Sequence, residues 1–338
     1  MSKLFLDAIA QRPVARRPLW LMRQAGRYLP EYRELRKEYS FEQLSDSAEL
    51  ACEVTLQPLR RFKLDAAIIF ADLMSPVAAL GIDVRFAPGP VVDEPLTSRA
   101  QIEALPDPAQ QDIAPQVAQA LTMVKPHLDQ NCALIGFAGA PLSIAAYLVQ
   151  GGSKKSFPAL RALAQSDELA FGRLMERLTR TCALYMKAQV EAGADALQIF
   201  DSWGGIFSLT DWRRLIRPHI EVLLQETAAT GVPRIFYLQN GYHLLDDVLQ
   251  LPADAFSLDW RVDLAALRAA GHTMTLQGNL DPAILLAGPE VTHKLTLDLM
   301  NSIPKQGHLV NLGQGLMPET PIASVQAMLD AVHSEPAG

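Results

Sequence analysis

A chain of 338 residues that is 49% hydrophobic and 20% charged, with ordinary Gly and Pro counts, is long enough to bury a large core, and this composition excludes a disordered or fibrous protein. Its net charge of −7 opposes non-specific nucleic-acid binding, so an anionic ligand has to be met by a local cluster of Arg or Lys. Cys52, Cys132 and Cys182 are too scattered for a disulfide framework, and the start MSKLFLDAIAQRP lacks a signal-peptide pattern, so a cytoplasmic protein is expected. The longest apolar run, residues 134–149, is broken by Gly136, Gly139, Pro141 and Ser143 and falls short of the roughly 20 residues of a membrane helix, so no membrane partner is expected.

Along the chain, short apolar or β-branched runs at residues 19–22, 66–70, 133–137, 196–200, 234–238, 255–258, 274–277 and 308–312 each predict a buried strand. Between them, residues 46–61, 167–192, 211–227 and 291–301 carry helical periodicity and good helix formers. Strand–helix alternation predicts a parallel sheet with covering helices, and about eight repeats favour a closed (β/α)8 barrel, a TIM barrel in one α/β domain over residues 1–338, rather than an open doubly wound sheet. Almost every run is followed by a polar or Gly-bearing position: Arg23, Asp72, Gly139, Ser202, Gln239, Asp259, Asn279 and Gln314. These are expected at the C-terminal mouth, where barrels place their chemistry. Residues 81–108, with Pro88, Pro90, Pro95, Pro106 and Pro108, read as an insertion over the barrel. No low-complexity linker and no internal repeat is seen.

Arg23 and Arg27 lie four residues apart in PLWLMRQAGRY. On a helical turn, or on a loop made possible by Gly26, both guanidinium groups can point the same way, and their forks suit carboxylates. The competing reading is a solvated basic face shared with Arg12, Arg16, Arg17, Arg33 and Arg36. Asp72 follows its run in IIFADLM and is either a helix cap or ion-pair partner, or an anionic acceptor at the mouth. GFAGAPLSIAAYLVQGG, residues 136–152, carries Tyr147 but is neither a P-loop nor a Rossmann turn. FDSWGG, residues 200–205, lacks GxSxG spacing, so Ser202 is a hydrogen-bonding candidate and not a nucleophile. The histidines fall in neither HExxH nor HxC spacing; no metal and no cofactor is expected.

Six segments, PLWLMRQAGRYLPEYRE, IIFADLM, GFAGAPLSIAAYLVQGG, ALQIFDSWGG, LQGNLDP and NLGQGLMPETP, are similar in order and spacing to the signatures of the uroporphyrinogen decarboxylase family, over about residues 4–332. The resemblance implies a (β/α)8 barrel, a homodimer with facing clefts, and cofactor-independent removal of four acetate carboxyls from uroporphyrinogen III to give coproporphyrinogen III in porphyrin and heme biosynthesis. It implies that Asp72 and Arg23 are catalytic. It also implies that Arg23, Gln24, Ala25, Gly26, Arg27, Asp72, Tyr147, Ser202 and Gln314 bind substrate, with Asp72 ionised at neutral pH beneath the pyrrole N–H groups. One departure stands out: Gln314 occupies the place of the family's usual His, and an amide cannot gain a charge near pH 7. Two alternatives remain. One is a tetrapyrrole-binding protein with impaired catalysis; the other is a zinc-dependent corrinoid methyltransferase of the same superfamily, which should show a His-x-Cys pair that this chain lacks.

Overall fold

The computed structural model of the chain describes residues 3–87, 89–154 and 156–336, and Pro88 of the proline-rich stretch lies outside them. The first strand, β1 (Ala66–Ile68), is followed by a small antiparallel hairpin of β2 (Arg85–Phe86) and β3 (Pro90–Val91). Then come β4 (Ala133–Gly139), β5 (Ala196–Asp201), β6 (Arg234–Leu238), β7 (Ala255–Leu258), β8 (Thr275–Gln277) and β9 (His308–Leu309). The seven strands other than the hairpin pair in the order β1-β4-β5-β6-β7-β8-β9, each parallel to its neighbour. β4, β5 and β7 are buried along their whole length, as strands covered on both faces must be. Helices such as Ala48–Arg61, Glu168–Glu191 and Pro289–Ser302 fill the crossovers, and the sheet curls into a TIM-barrel-like fold. Among the described residues no helix is long and apolar enough to cross a membrane.

The eighth run, residues 19–22, does not become a ladder strand. Pro18 has no N–H to donate and Arg23 turns the chain at φ 62°, which leaves room for one parallel bridge, Leu19 to Val310. The segment nevertheless joins the two edges of the sheet. Pro18 O accepts from Val310 N and Leu19 O from Asp65 N, each at 2.9 Å. Side chains complete the seam: Met22 N donates to Asn311 Oδ1 at 3.0 Å and Gln24 Nε2 to Ala66 O at 3.1 Å.

The interior of the barrel is partly polar and internally satisfied. Gln277 Oε1 accepts from Trp20 Nε1 at 2.8 Å, while Gln277 Nε2 donates to Gln198 Oε1 at 3.1 Å and Ser257 Oγ at 2.9 Å. The bonds to Trp20 and Gln198 skip strands and so run across the barrel, while Ser257 is the neighbour of Gln277 on the adjacent β7; all four residues are fully buried. At the N-terminal ends of the strands an Asp-Ala pair recurs at Asp65, Asp195 and Asp254, just before β1, β5 and β7. In each case the Asp N donates to the carbonyl of a residue on the neighbouring segment, Leu19, Leu134 or Arg234, at 2.9, 2.7 and 2.9 Å. The carboxylate then accepts from that same residue's N–H, at 2.8, 2.7 and 2.7 Å. This brace is a short internal repeat that the sequence reading overlooks, because only the pairing shows what the two residues have in common.

The predicted helix over residues 211–227 is two helices, Leu209–Leu215 and Arg217–Ala228. Pro218 cannot donate to the preceding turn and is tolerated only in the first turn of a new helix. The insertion over residues 81–108 holds the β2–β3 hairpin and the helix Arg99–Glu103. Phe86 of the hairpin packs on Phe41 with ring centroids 4.7 Å apart, which hangs the hairpin over the mouth.

Candidate active site

The loops that follow the strands surround a cavity of about 530 Å³, lined among others by Arg23, Arg27, Asp72, Tyr147, Ser202 and Gln314. Arg23 and Arg27 lie on an irregular turn ahead of the helix Pro30–Glu38, which realises the loop alternative and not the helical one. Arg23 keeps φ 62°, a left-handed conformation unusual for a residue with a side chain and often found at functional sites. Its stem runs so close to the loop after β9 that a Cβ on Gly315 would collide with Arg23 Cδ. Both guanidinium groups are exposed to the cleft, and neither has a hydrogen-bond or ion-pair partner among the described residues. A second cavity, of about 570 Å³, is also lined by arginines, but there Arg173 and Arg180 face Glu103 and Asp107 at 3.5 and 3.7 Å. Unmet positive charge is therefore a feature of the barrel mouth.

Asp72 sits at the other side of this charge balance. Its Oδ1 accepts from Met74 N at 2.8 Å, and its own N donates to Ser75 Oγ at 3.2 Å. The second carboxylate oxygen carries no protein donor among the described residues. Burial pushes the carboxyl up to about 6, against the opposing pull of the Met74 N–H and of Arg23. A carboxyl at about 6 leaves the ionised form in excess by about tenfold at pH 7, a narrower margin than an ordinary carboxylate has.

Ser202 and Tyr147 face the same cavity. The Ser202 turn is held from below. Ser143 Oγ accepts from Ser202 N at 2.9 Å and donates to Asp201 Oδ1 at 3.0 Å, and Asp201 Oδ1 also accepts from Gly204 N at 2.9 Å. Asp201 is fully buried, its Oδ2 has no hydrogen-bond partner among the described residues, and burial pushes its carboxyl up to about 6. Tyr147 packs edge-on to Phe157, with centroids 5.5 Å apart, and burial raises its phenol.

Ala25, Gly26 and Gln314 also line the cavity, whereas Gln24 does not. The Gln24 side chain is fully buried, with Oε1 accepting from Leu21 N at 3.1 Å and Nε2 on Ala66 O, so it is a structural member of the barrel seam. Of the other positions expected at the mouth, Gln239 lines the cavity, while Asp259 and Asn279 turn inward and brace loops. Asp259 Oδ2 accepts from Asn240 N at 2.5 Å, and Asn279 Nδ2 donates to Asp259 O at 2.8 Å. Sequence reading misses Phe86 and Pro90 of the hairpin as walls and the Ser143–Asp201 support. The glycines flanking Gln314 in NLGQGLM are the one visible signal of close packing there.

The profile of a family described as uroporphyrinogen decarboxylase matches residues 1–335. The chain belongs to the uroporphyrinogen decarboxylase family. A uroporphyrinogen decarboxylase of Alkalilimnicola ehrlichii is 42% identical, covering 97% of this chain and 92% of that protein. One of Coxiella burnetii is 40% identical over 98% of this chain and 94% of that protein. Among solved structures a methyltransferase from Methanosarcina mazei has a TM-score of 0.83 at 18% identity, covering 98% of this chain and 99% of that one, a likeness of fold alone. In this member of the uroporphyrinogen decarboxylase family, no group of three or more His, Cys, Asp or Glu is arranged to hold a metal among the described residues.

Proposed function

We propose that this chain is a uroporphyrinogen decarboxylase, converting the four acetate side chains of uroporphyrinogen III to methyl groups and releasing coproporphyrinogen III. The observation that carries the reading is one cleft in which two unpaired guanidinium groups, Arg23 and Arg27, face a largely ionised Asp72. The substrate brings the complement of both: eight carboxylates around the rim and four pyrrole N–H groups at the centre.

Losing carbon dioxide from a pyrrole acetate needs an electron sink. A proton adds to the ring carbon and makes the pyrrole cationic. The bond to the carboxylate then breaks and its electron pair enters the ring. The resulting exocyclic methylene takes up a proton to become methyl while the ring carbon loses one, so the net change is replacement of carboxylate by hydrogen. Asp72, accepting pyrrole N–H groups through its oxygen without a protein donor, stabilises the cation that grows in the transition state. Arg23 and Arg27 hold the side-chain carboxylates in forks, with Ala25 and Gly26 shaping their loop and Tyr147, Ser202 and Gln314 adding hydrogen bonds. Gln24 contributes by holding that loop to the barrel. We assign the proton donor to Arg23 or a water held by it.

The same reading takes residues 1–338 as one domain of a cytoplasmic homodimer. An anaerobic assay of the sedimented protein with uroporphyrinogen III tests it, alongside Asp72→Ala, Arg23→Ala and Arg27→Ala. Wild type is expected to release carbon dioxide as a species of twice the 37.0 kDa chain. Each substitution is expected to lower kcat/KM by about 100-fold or more, the scale of a lost charge contact in the transition state. Turnover that survives all three changes would falsify the mechanism; uptake of substrate without turnover would favour a binding protein, and an active monomer would remove the dimer.

A further inference from the structure

Gln314 does not stand alone in the cleft. Gln239 Nε2 donates to Gln314 Oε1 at 2.5 Å, and both half-buried side chains line the cavity together with Arg23. Their backbones are fixed. Gln239 N donates to Asp201 O at 3.1 Å, Gly313 N to Leu280 O at 2.8 Å, and Leu316 N to Met22 O at 3.0 Å. The Tyr237 hydroxyl donates to Gly313 O at 3.1 Å. A Cβ on Gly313 would collide with Trp260 N, and one on Gly315 with the stem of Arg23. The loop is thus wedged beside Arg23 with little freedom to re-aim. With its oxygen engaged by Gln239, Gln314 keeps both hydrogens of Nε2 for a ligand.

We propose that Gln239 is a positioning residue for substrate: it holds the Gln314 oxygen, so that Gln314 Nε2 and the Arg23 guanidinium together form a subsite for one substrate carboxylate. The proposal deepens the decarboxylase reading and rests on it. A carboxylate accepts hydrogen bonds and cannot donate them, so the subsite works only while the amide presents its nitrogen. Gln239 supplies that orientation, which Gln314 alone, free to rotate by half a turn, would not.

The test measures KM and kcat separately on the full chain, with uroporphyrinogen III under anaerobic conditions, for Gln239→Leu and Gln239→Glu. A carboxylate at position 239 accepts only. It therefore draws Gln314 Nε2 to itself and turns the Gln314 oxygen toward the substrate carboxylate. KM is expected to rise about tenfold or more for Gln239→Glu, the scale of a lost hydrogen bond to a charged group. For Gln239→Leu the rise is expected to be about threefold, with kcat within about twofold for both variants, which also shows that they fold. With Gln314→Ala in place there is no amide to orient, and Gln239→Leu is then expected to add nothing. KM within about twofold of wild type for both Gln239 variants, or an equal effect of Gln239→Leu with and without Gln314, overturns the proposal. Wild-type protein without turnover instead sinks the decarboxylase reading, and the subsite falls with it.

Discussion

Arg23 is held at φ 62°, a conformation that costs a residue with a Cβ roughly 1–2 kcal/mol. What that conformation secures is a guanidinium aimed into the cleft past Gly315. The amino-acid types alone leave a solvated basic face and a carboxylate clamp both open, because four-residue spacing serves either; the backbone angle and the missing counter-ion separate them. Asp72 makes the same point through solvation. Its carboxyl is raised from 3.8 to about 6 by burial, so the folded state binds its proton more tightly than the unfolded chain, and ionisation at pH 7 opposes folding. Asp72→Asn keeps an acceptor for Met74 N and removes that charge. It is expected to stabilise the fold at pH 7 by on the order of 1–3 kcal/mol while abolishing turnover. The gain shrinks as pH falls through about 6 and is gone below 3.8. Wild-type kcat/KM should fall over the same upper step as Asp72 protonates. Thermal melts and a pH–rate profile read both effects; a melting temperature that drops at pH 7 would show that the charge is better accommodated than its burial implies.

Strand positions are legible because buried strands announce themselves in apolar, β-branched runs; β6 and β7 fall on the expected residues. What joins strand to strand is less visible. The Asp-Ala braces before β1, β5 and β7 fix register at the base of the barrel by exchanging two bonds with one residue of the neighbouring segment. Asp195 shows the load they carry: it accepts from Lys3 Nζ and Lys125 Nζ, each at 2.7 Å, as well as from Leu134 N. Burial pushes its carboxyl up, but the hydrogen bonds from Lys125, Lys3 and Leu134 N, with the Lys125 charge, together outweigh this and hold it below its usual value. A depressed carboxyl contributes stability that is complete above its unfolded value of 3.8 and is lost as pH falls through the folded one. Asp195→Asn is therefore expected to cost roughly 1–3 kcal/mol at pH 7, with the difference from wild type narrowing below pH 4. Urea unfolding at several pH values measures this, and a cost that stays constant down to acid pH would assign the effect to packing and not to charge.

At the scale of the whole molecule, the two ends of the described chain are tied through one buried ion pair. Arg17, 4% exposed, pairs with Glu335 through Nη1, while its N–H donates to Glu335 Oε2 at 2.7 Å and its Nη2 to Met300 O and Ile303 O at 2.8 and 2.6 Å. The pair holds the approach to the closing segment against the end of the helix Ile322–His333. Glu335→Gln leaves a buried guanidinium short of its counter-charge and is expected to destabilise by roughly 3 kcal/mol, measured as a shift of the urea midpoint. A change under about 0.5 kcal/mol, the range of ordinary surface substitutions, would mean that water takes the place of the carboxylate. The cleft is assembled at this same scale, from segments as distant as residues 22–28 and 314–318. The sequence by itself determines the alternation of buried strands and amphipathic helices, and hence the barrel, because burial and periodicity are written in local residue types. It also marks Arg23, Asp72, Ser202 and Gln314 as following apolar runs and Arg27 as following a glycine, whereas Tyr147, inside the helix Pro141–Gln150, enters only through the family resemblance. Only the tertiary structure decides that residues 19–22 close the barrel through side chains, that Gln24, Asp259 and Asn279 spend their polar groups on the scaffold, and that Gln239 meets Gln314. Each of those outcomes depends on which loops meet across the mouth, and local residue types do not encode that meeting.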